Sequence, residues 1–424
     1  MCRSTHAMSH FPCKTDASHV KLHMGSVSFT GYPVKLRPLE GSVEAMLVGR
    51  LAANEDQAAL LELVREIADK ELRPAVDKAE AAHEFPGQVY RLLGEAGLMG
   101  LPFPEEYGGA DQPYESYLQV IEEVGAAWAS VGVGMAVHAL TCVVLNDQGS
   151  EDQKRRWLPH MLSGQWLGAY CLSEPQAGSD VSAISTMATR EGDSYLIKGV
   201  KQWISNGSHA DYYVLFARTS SDRSGLSAFF VPAETEGLAF GAPEQKMGLH
   251  SDVTTQVIFD NVRVPASSRI GEEGAGMRIA LGALDRGRLG IAAVATGIAQ
   301  EALSIATKWA QERAQFGKPI GQFQGLGFML ADMCAATESA RATYLHAARL
   351  KDASVPFSRQ ASVAKLVATD AAMRVATDAV QVLGGYGYTS EYAAERLFRD
   401  AKVTQIFEGT NQIQRLVIAK DLLG

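Results

Sequence analysis

The sequence predicts an α+β protein in three successive parts: a helical block, a compact block of short strands, and a second helical block. Three observations predict it. Apolar residues recur at helical spacing over about 54–165, short β-branched and aromatic runs fill about 168–272, and an alanine-rich helical period returns after Gly276 and holds to Gly424. Helices followed by strands followed by helices is not the alternation that builds a doubly wound parallel sheet. The boundaries read from these changes are 46–167 for the N-terminal helical domain, 168–275 for the β domain and 276–424 for the C-terminal helical domain.

The first helix is read from Leu60, Leu61, Val64, Ile67, Ala68 and Leu72, which recur every three or four residues; Pro74 is expected to stop it, for want of a backbone N–H. Further helices are expected near 88–96, Tyr114–Ala127 and Glu151–Leu162, separated by turns such as Glu106-Tyr107-Gly108-Gly109. Strands are expected over Ser194–Ser205, Tyr212–Arg218, 226–231 and 254–264, punctuated by Gly, Asn, Asp and Pro as in a small barrel or sandwich. Helices over roughly 277–312, 322–350, 358–383, 391–402 and 411–422 have lengths that suit a packed antiparallel bundle.

Residues 1–45 differ from the rest. They hold His6, His10, His19 and His23 and no amphipathic period. No continuous apolar stretch marks a secretory signal, and arginines are too few and acids too many for a transit peptide. The segment reads as a disordered extension or an early start, with Met46 the true one; a targeting segment or weak metal-binding tail is the alternative.

Composition narrows the function. The chain has 424 residues, 46% hydrophobic and 21% charged, enough for a large core. A net charge of −9 argues against a nucleic-acid partner. The longest apolar runs, near 131–145 and 289–299, are interrupted or short, so no membrane span is expected. Five scattered cysteines without a CxxC pair imply neither a disulfide scaffold nor a zinc site, and no metal is expected. There is no GxxxxGK[ST], GxSxG, HExxH or strand-borne GxGxxG, so a nucleotide cofactor here would not use the Rossmann device.

Three runs carry candidate chemistry. Cys171-Leu172-Ser173-Glu174-Pro175-Gln176-Ala177-Gly178-Ser179-Asp180 lies at the first domain junction, and its small residues let backbone N–H groups approach a planar or anionic ligand; an ordinary junction loop is the alternative. Gln381-Val382-Leu383-Gly384-Gly385-Tyr386-Gly387-Tyr388 has three glycines in four residues, as a close neighbour or a plain helix cap would require. In Ile406-Phe407-Glu408-Gly409-Thr410-Asn411-Gln412-Ile413-Gln414-Arg415, Asn411 and Gln414 suggest a capping box opening the last helix. Glu408 precedes that helix, either merely favouring its N-terminus or projecting as a general base.

Taken together, the three runs resemble the acyl-CoA dehydrogenase flavoprotein family. The likeness runs in order from about Asn54 to Gly424: one family signature matches 171–180, a second matches 381–400 with Glu391, Arg396 and Asp400, and Glu408-Gly409-Thr410 fits as well. The resemblance implies the family architecture, an N-terminal helical domain, a central β domain and a C-terminal four-helix bundle. It implies α,β-dehydrogenation of an acyl-CoA thioester to the trans-2-enoyl-CoA, with FAD as cofactor and an electron-transfer flavoprotein as acceptor. Glu408 matches the base that takes the α-proton. Some relatives carry the base on an earlier helix, where this chain reads Leu284-Asp285-Arg286-Gly287-Arg288, so glycine stands at the alternative position.

The same likeness implies cofactor contacts at Leu172, Ser173, Ser179, Trp203, Ser205, Gln324, Gln381, Gly384, Gly385, Thr410 and Gln412, with Arg313 and Phe316 reaching the FAD of a neighbouring subunit. Trp203 taken alone reads as a core aromatic. Ser205 stands where the family more often has threonine. Substrate contacts are implied at Ser179 and Gly409, and at Asp285 and Arg288, whose i, i+3 spacing also suits a simple ion pair. His250 stands where many relatives have arginine, and the sequence offers no account of it. A homotetramer built as a dimer of dimers, in the cytoplasm, is expected.

Two competing functions remain at this stage. A same-fold oxidase would pass electrons to oxygen, although acyl-CoA oxidases usually carry an extra C-terminal domain and this chain ends at Gly424. A catalytically idle, DNA-associated relative would favour a basic surface and a spoiled base, and both the charge and Glu408 point away from it.

Overall fold

Helix α1 (Glu55–Ile67) begins where the Asn54 side chain accepts a hydrogen bond from the Gln57 N–H at 2.8 Å, and Glu55 and Asp56 complement its positive end. The structure, a computed structural model, describes Ala52 and residues 54–222 and 225–424; the expectations for residues 1–45 and for Met46 lie outside the described residues. Pro74 does not end the helical path. A π-helical turn over Ala68–Leu72 joins α1 to α2 (Arg73–Ala82), and Pro74 falls in the first turn of α2, where a missing N–H costs least.

Four helices complete the N-terminal part: α3 (Gly87–Glu95), α4 (Tyr114–Ala127), α5 (Ala129–Gln148) and α6 (Glu151–Leu162). A reciprocal capping box between Ser150 and Gln153 starts α6. Helix α5 is buried on nearly every face, so it shows no amphipathic stripe. Over 18 residues it is apolar enough to span a bilayer, as is the long helix Gly276–Glu312, which is more than the sequence reading allowed. In both, most of that window (89% and 83%) is buried inside the protein.

The β domain is one eight-stranded sheet. Its strands are β1 (Gly168–Cys171), β2 (Met187–Glu191), β3 (Ser194–Ser205), β4 (Tyr212–Arg218), β5 (Leu226–Pro232), β6 (Leu238–Phe240), β7 (Thr254–Pro265) and β8 (Arg269–Ile270), in the order β6-β7-β3-β2-β4-β5-β8 with β1 parallel to β4. The sheet core holds Tyr195, Ile197, Phe229, Val231, Phe259 and Val262. Between Lys201 and Ile204 the β3–β7 pairing slips, and this bulge re-aims the residues at the end of β3.

The C-terminal part runs α7 (Gly276–Glu312), the short hairpin β9 (Ala314–Gln315) and β10 (Lys318–Pro319), α8 (Gln324–Asp352), α9 (Ser358–Leu383), α10 (Ala393–Thr404) and α11 (Asn411–Leu423). Its core is continuous with that of the first helices: Ile121 and Val124 of α4 belong to one cluster with Val294 and Ile298 of α7 and Tyr344 of α8. Each such fully buried side chain contributes roughly 1.5–3 kcal/mol. A buried ion pair crosses this core, Arg341 Nη2 donating to Glu122 Oε1 at 2.7 Å, with the Tyr344 hydroxyl on the same carboxylate. The packing sets the α10–α11 turn against Gly287 of α7.

Candidate active site

The α10–α11 turn is built from unusual backbone. Glu408 (φ 51°) and Gly409 (φ 87°) both lie in the left-handed region, which is costly for a residue with a Cβ. The turn is over-determined. Gln414 Nε2 donates to the carbonyls of Glu408 at 3.3 Å and Gly409 at 2.9 Å, and Lys365 Nζ on α9 donates to the Gly409 carbonyl at 2.9 Å and Asn411 Oδ1 at 2.9 Å. The capping expectation is corrected here. Thr410 caps α11 by accepting from the Ile413 N–H, because Asn411 is drawn into the core by Lys365, Thr369 and Asp370 and Gln414 turns back onto the turn.

This turn drives the Glu408 side chain inward. Both carboxylate oxygens are buried, and neither has a hydrogen-bond partner among the described residues. Burial pushes the carboxyl up, the Lys365 and Arg288 charges pull it back, and the balance lies at about 7. A buried carboxyl that is free of partners and ionises near neutrality has the properties of a general base. Gly287 of α7 walls the carboxylate: a Cβ placed there would lie 2.1 Å from Glu408 Oε2. Beside it, a cavity between α4, α5 and α7 is lined by Phe103, Tyr114, Tyr117, Leu140, Val143 and Gly287 among others. A larger open depression around Gln148, Arg156 and Arg269 contains none of the predicted residues.

Asp285 and Arg288 face α9 as a pair. Arg288 Nη1 donates to Asp285 Oδ1 at 2.7 Å and to Ser362 Oγ at 3.4 Å, and Ser358 Oγ donates to Asp285 at 3.0 Å. Their spacing thus forms an ion pair, whose arginine is buried next to Glu408.

A second cluster forms at the strand ends. Trp203 occupies the β3 bulge with φ 62° and is 61% exposed, so it is not a core aromatic. The Ser205 hydroxyl donates to buried Asp252 at 2.9 Å. The 171–180 loop is tied to β3 from below: Gln202 N–H donates to the Ser173 carbonyl, and Lys201 Nζ donates to the Leu172 carbonyl at 2.9 Å and Glu174 Oε1 at 2.8 Å. Burial alone would raise Glu174, yet the Lys201 charge and hydrogen bonds from Thr186 and Ser185 hold it down at about 2. The Lys201–Glu174 pair escaped the sequence reading although Glu174 lies in the quoted 171–180 run and Lys201 in the expected strand Ser194–Ser205, because only the fold shows that a lysine in β3 points under the loop. Removing one partner of a buried pair costs about 3–5 kcal/mol. Gln176, Ser185 and Thr186 stay on Glu174, so Lys201→Met is expected to cost about 2 kcal/mol. Thermal melting checks this, together with faster loss of any ligand held by the loop on gel filtration.

Among the described residues, no hydrogen bond joins the remaining predicted residues to Glu408. Phe316 (φ 52°) is 93% exposed on the β9–β10 turn, and Ser179, Gln324, Gln381, Gly384, Gly385 and Gln412 are exposed. The Arg313 guanidinium lies 5.5 Å from the Tyr386 ring, linking the hairpin to the glycine turn after α9. His250 stacks on His83 with ring centroids 4.3 Å apart, and its N–H donates to Glu80 at 2.7 Å, which gives it a packing role between α2 and the β domain.

The chain matches the three families described as acyl-CoA dehydrogenase N-terminal, middle and C-terminal domains, over residues 54–165, 169–262 and 274–423. It is 47% identical over 375 residues to an acyl-CoA dehydrogenase of Bacillus subtilis, covering 87% of this chain and 98% of the relative. It is 44% identical over 372 residues to the human mitochondrial short-chain specific acyl-CoA dehydrogenase, covering 87% and 90%. Among solved structures it resembles butyryl-CoA dehydrogenase from Megasphaera elsdenii, with TM-score 0.87, 40% identity and coverage of 89% and 100%. A chain from a structure concerning the electron transferring flavoprotein of Acidaminococcus fermentans and flavin-based electron bifurcation also matches, with TM-score 0.87, 43% identity and coverage of 88% and 100%.

Proposed function

The chain belongs to the acyl-CoA dehydrogenase family, and from that premise we propose that Glu408 is the base of an α,β-dehydrogenation acting on short acyl-CoA thioesters. The family's members are FAD-dependent oxidoreductases, and this chain is one of them: it dehydrogenates an acyl-CoA. The residues fit the cofactor. Exposed Trp203 offers a flat wall for a planar ring, and the Ser205 hydroxyl and the Leu172–Ser173 backbone stand beside it on β3 and the loop pinned to it. FAD supplies the hydride acceptor for the substrate β-carbon.

The protein's own part is proton abstraction. Glu408 takes the α-proton with oxygens that no hydrogen bond from the described residues engages, its carboxyl raised by burial to about 7. Gly287 leaves room for the carboxylate to stand there, and the apolar wall from Leu140 and Val143 excludes water from the acyl chain. Exposed Phe316 and half-buried Arg313 suit contacts to the FAD of a neighbouring subunit in a dimer of dimers, and exposed Gln381, Gly384 and Gly385 suit further cofactor contacts. Ser179, Gln324, Thr410 and Gln412 remain proposed cofactor contacts, and Ser179, Gly409, Asp285 and Arg288 proposed substrate contacts. Electron-transfer flavoprotein is proposed as the acceptor, in keeping with the structural neighbour that concerns one, and the cytoplasm as the compartment.

The observation that supports the short-chain reading is the likeness to relatives named short-chain specific and butyryl-CoA dehydrogenases, and the aromatic lining of the cavity beside Gly287, where Tyr114 and Tyr117 pack with ring centroids 5.5 Å apart next to Phe103, suits it. One methylene gained or lost in such a pocket is worth about 1–3 kcal/mol. Steady-state kcat/KM over straight-chain acyl-CoA thioesters is expected to peak at the short end and fall as the chain lengthens. A maximum with long chains would overturn this assignment.

A further inference from the structure

Lys365 is an improbable residue in its place. It lies in the middle of α9, fully buried, among Ser362, Ala364, Ala368 and Thr369. A buried ammonium is expensive unless its hydrogen bonds and a counter-charge compensate. Its hydrogen bonds go to one place: the Gly409 carbonyl and the Asn411 side chain, one and three residues after the left-handed Glu408. The carboxylate it faces most strongly is Glu408, with Asp370 next.

We propose that Lys365 is a positioning residue for the base, clamping the 408–411 turn through the Gly409 carbonyl and supplying the buried positive charge that keeps Glu408 able to ionise. The inference rests on the reading of Glu408 as the base. A structural clamp alone would not need a charge. Gln414 grips the same Gly409 carbonyl, and that of Glu408, without one, and provides an internal comparison. The charge matters because burial pushes Glu408 up and, among the described residues, two cations oppose it, Lys365 of α9 first and Arg288 of α7 second. Arg288 is already committed to Asp285. The other groups facing Glu408 are the phenols of Tyr114 and Tyr117 on α4 and Tyr170 on β1, all pushed up by burial and neutral through the pH range of interest. Asp370, on Lys365's own helix, is occupied by Asn411, Gln405 and Arg415. Burial lowers Lys365 itself to about 8, so it still carries its charge where Glu408 titrates.

The test is the pH profile of anaerobic flavin reduction by a short acyl-CoA in the FAD-loaded enzyme. Lys365→Met is expected to move the midpoint of the rising limb up by about one unit, which is about a fivefold slower rate at pH 7 and about tenfold well below it, recovering at alkaline pH. Lys365→Arg is expected to keep the parent midpoint. Gln414→Leu is expected to slow the reaction equally at all pH values. An unshifted midpoint in Lys365→Met, or an equal shift in Gln414→Leu, overturns the proposal. Should the neutral variant fail to fold, coupling is read in the opposite direction, since it is reciprocal. In Glu408→Gln the Lys365 amine, followed by NMR of 13C-labelled lysine, is expected to titrate at lower pH than in the parent, and an unchanged midpoint overturns the coupling. Normal flavin reduction by Glu408→Gln would instead remove Glu408 as the base and leave the measured coupling standing, so the two failures are distinguishable.

Discussion

Glu408→Gln is expected to fold, retain FAD and bind acyl-CoA, yet to reduce its flavin about 10³-fold more slowly than the parent. The substitution keeps the shape of the side chain and removes its ability to take a proton. Because neither carboxylate oxygen accepts a hydrogen bond from the described residues, the change breaks no contact there. The parent rate is expected to rise about tenfold per pH unit up to a midpoint near 7 and then level off, and the variant to lack that limb. Stability supplies an independent sign. The folded carboxyl is raised from 4.5 to about 7, so between those values the native state holds a proton that the unfolded chain has lost. Its favourable contribution is complete below 4.5 and disappears as pH rises through about 7. The variant, which cannot ionise, is therefore expected to gain thermal stability relative to the parent at pH 8 and to show no such gain at pH 5. Stopped-flow flavin spectra and melts at both pH values check the pair of claims; parental reduction by the variant would dismiss Glu408.

Much of this arrangement is legible in the sequence, for physical reasons that differ between elements. The long bundle helices α7, α8 and α9 declare themselves by sustained period, and Tyr114–Ala127 and Ser358–Leu383 lie where the apolar spacing puts them. Strands β1, β6 and β8 are two to four residues long and carry too little pattern to be found. Pro74 misled because a π-turn resets the hydrogen-bond ladder just before it. Glu408 was findable only as part of a run, since a carboxylate before a helix has an innocuous explanation. What no spacing shows is its depth, the left-handed turn that aims it, or the two buried lysines, Lys201 and Lys365, that hold the 171–180 loop and the 408–411 turn. Those are contacts between residues 27 to 46 positions apart in the chain. The left-handed backbone is the most useful signal the structure adds: Trp203, Phe316 and Glu408, singled out as site residues, share it, and strain of this kind is kept where geometry serves function.

The second large effect concerns a residue with no side chain. Gly287→Ala is expected to lower flavin reduction by about 10²-fold while leaving the fold as stable as the parent or more so. An added Cβ would stand 2.1 Å from Glu408 Oε2 and 3.0 Å from both Glu408 Cδ and Leu140 Cδ1, so something has to move. Helix α7 is held along its length by buried Leu289, Ile291 and Val294, and the Glu408 backbone is fixed by Gln414 and Lys365. The part left to yield is the carboxylate itself, and a displacement of about 1 Å at a reacting group costs about 10² in rate. Stability should move in the opposite direction, because glycine in a helix interior is about 1 kcal/mol worse than alanine. A variant that melts no lower than the parent, keeps its FAD and reduces it slowly would show that the glycine is retained for the space it leaves to Glu408. A variant that reduces its flavin at the parental rate would mean that the carboxylate works from elsewhere, and that the inward orientation seen at Glu408 is not the reactive one.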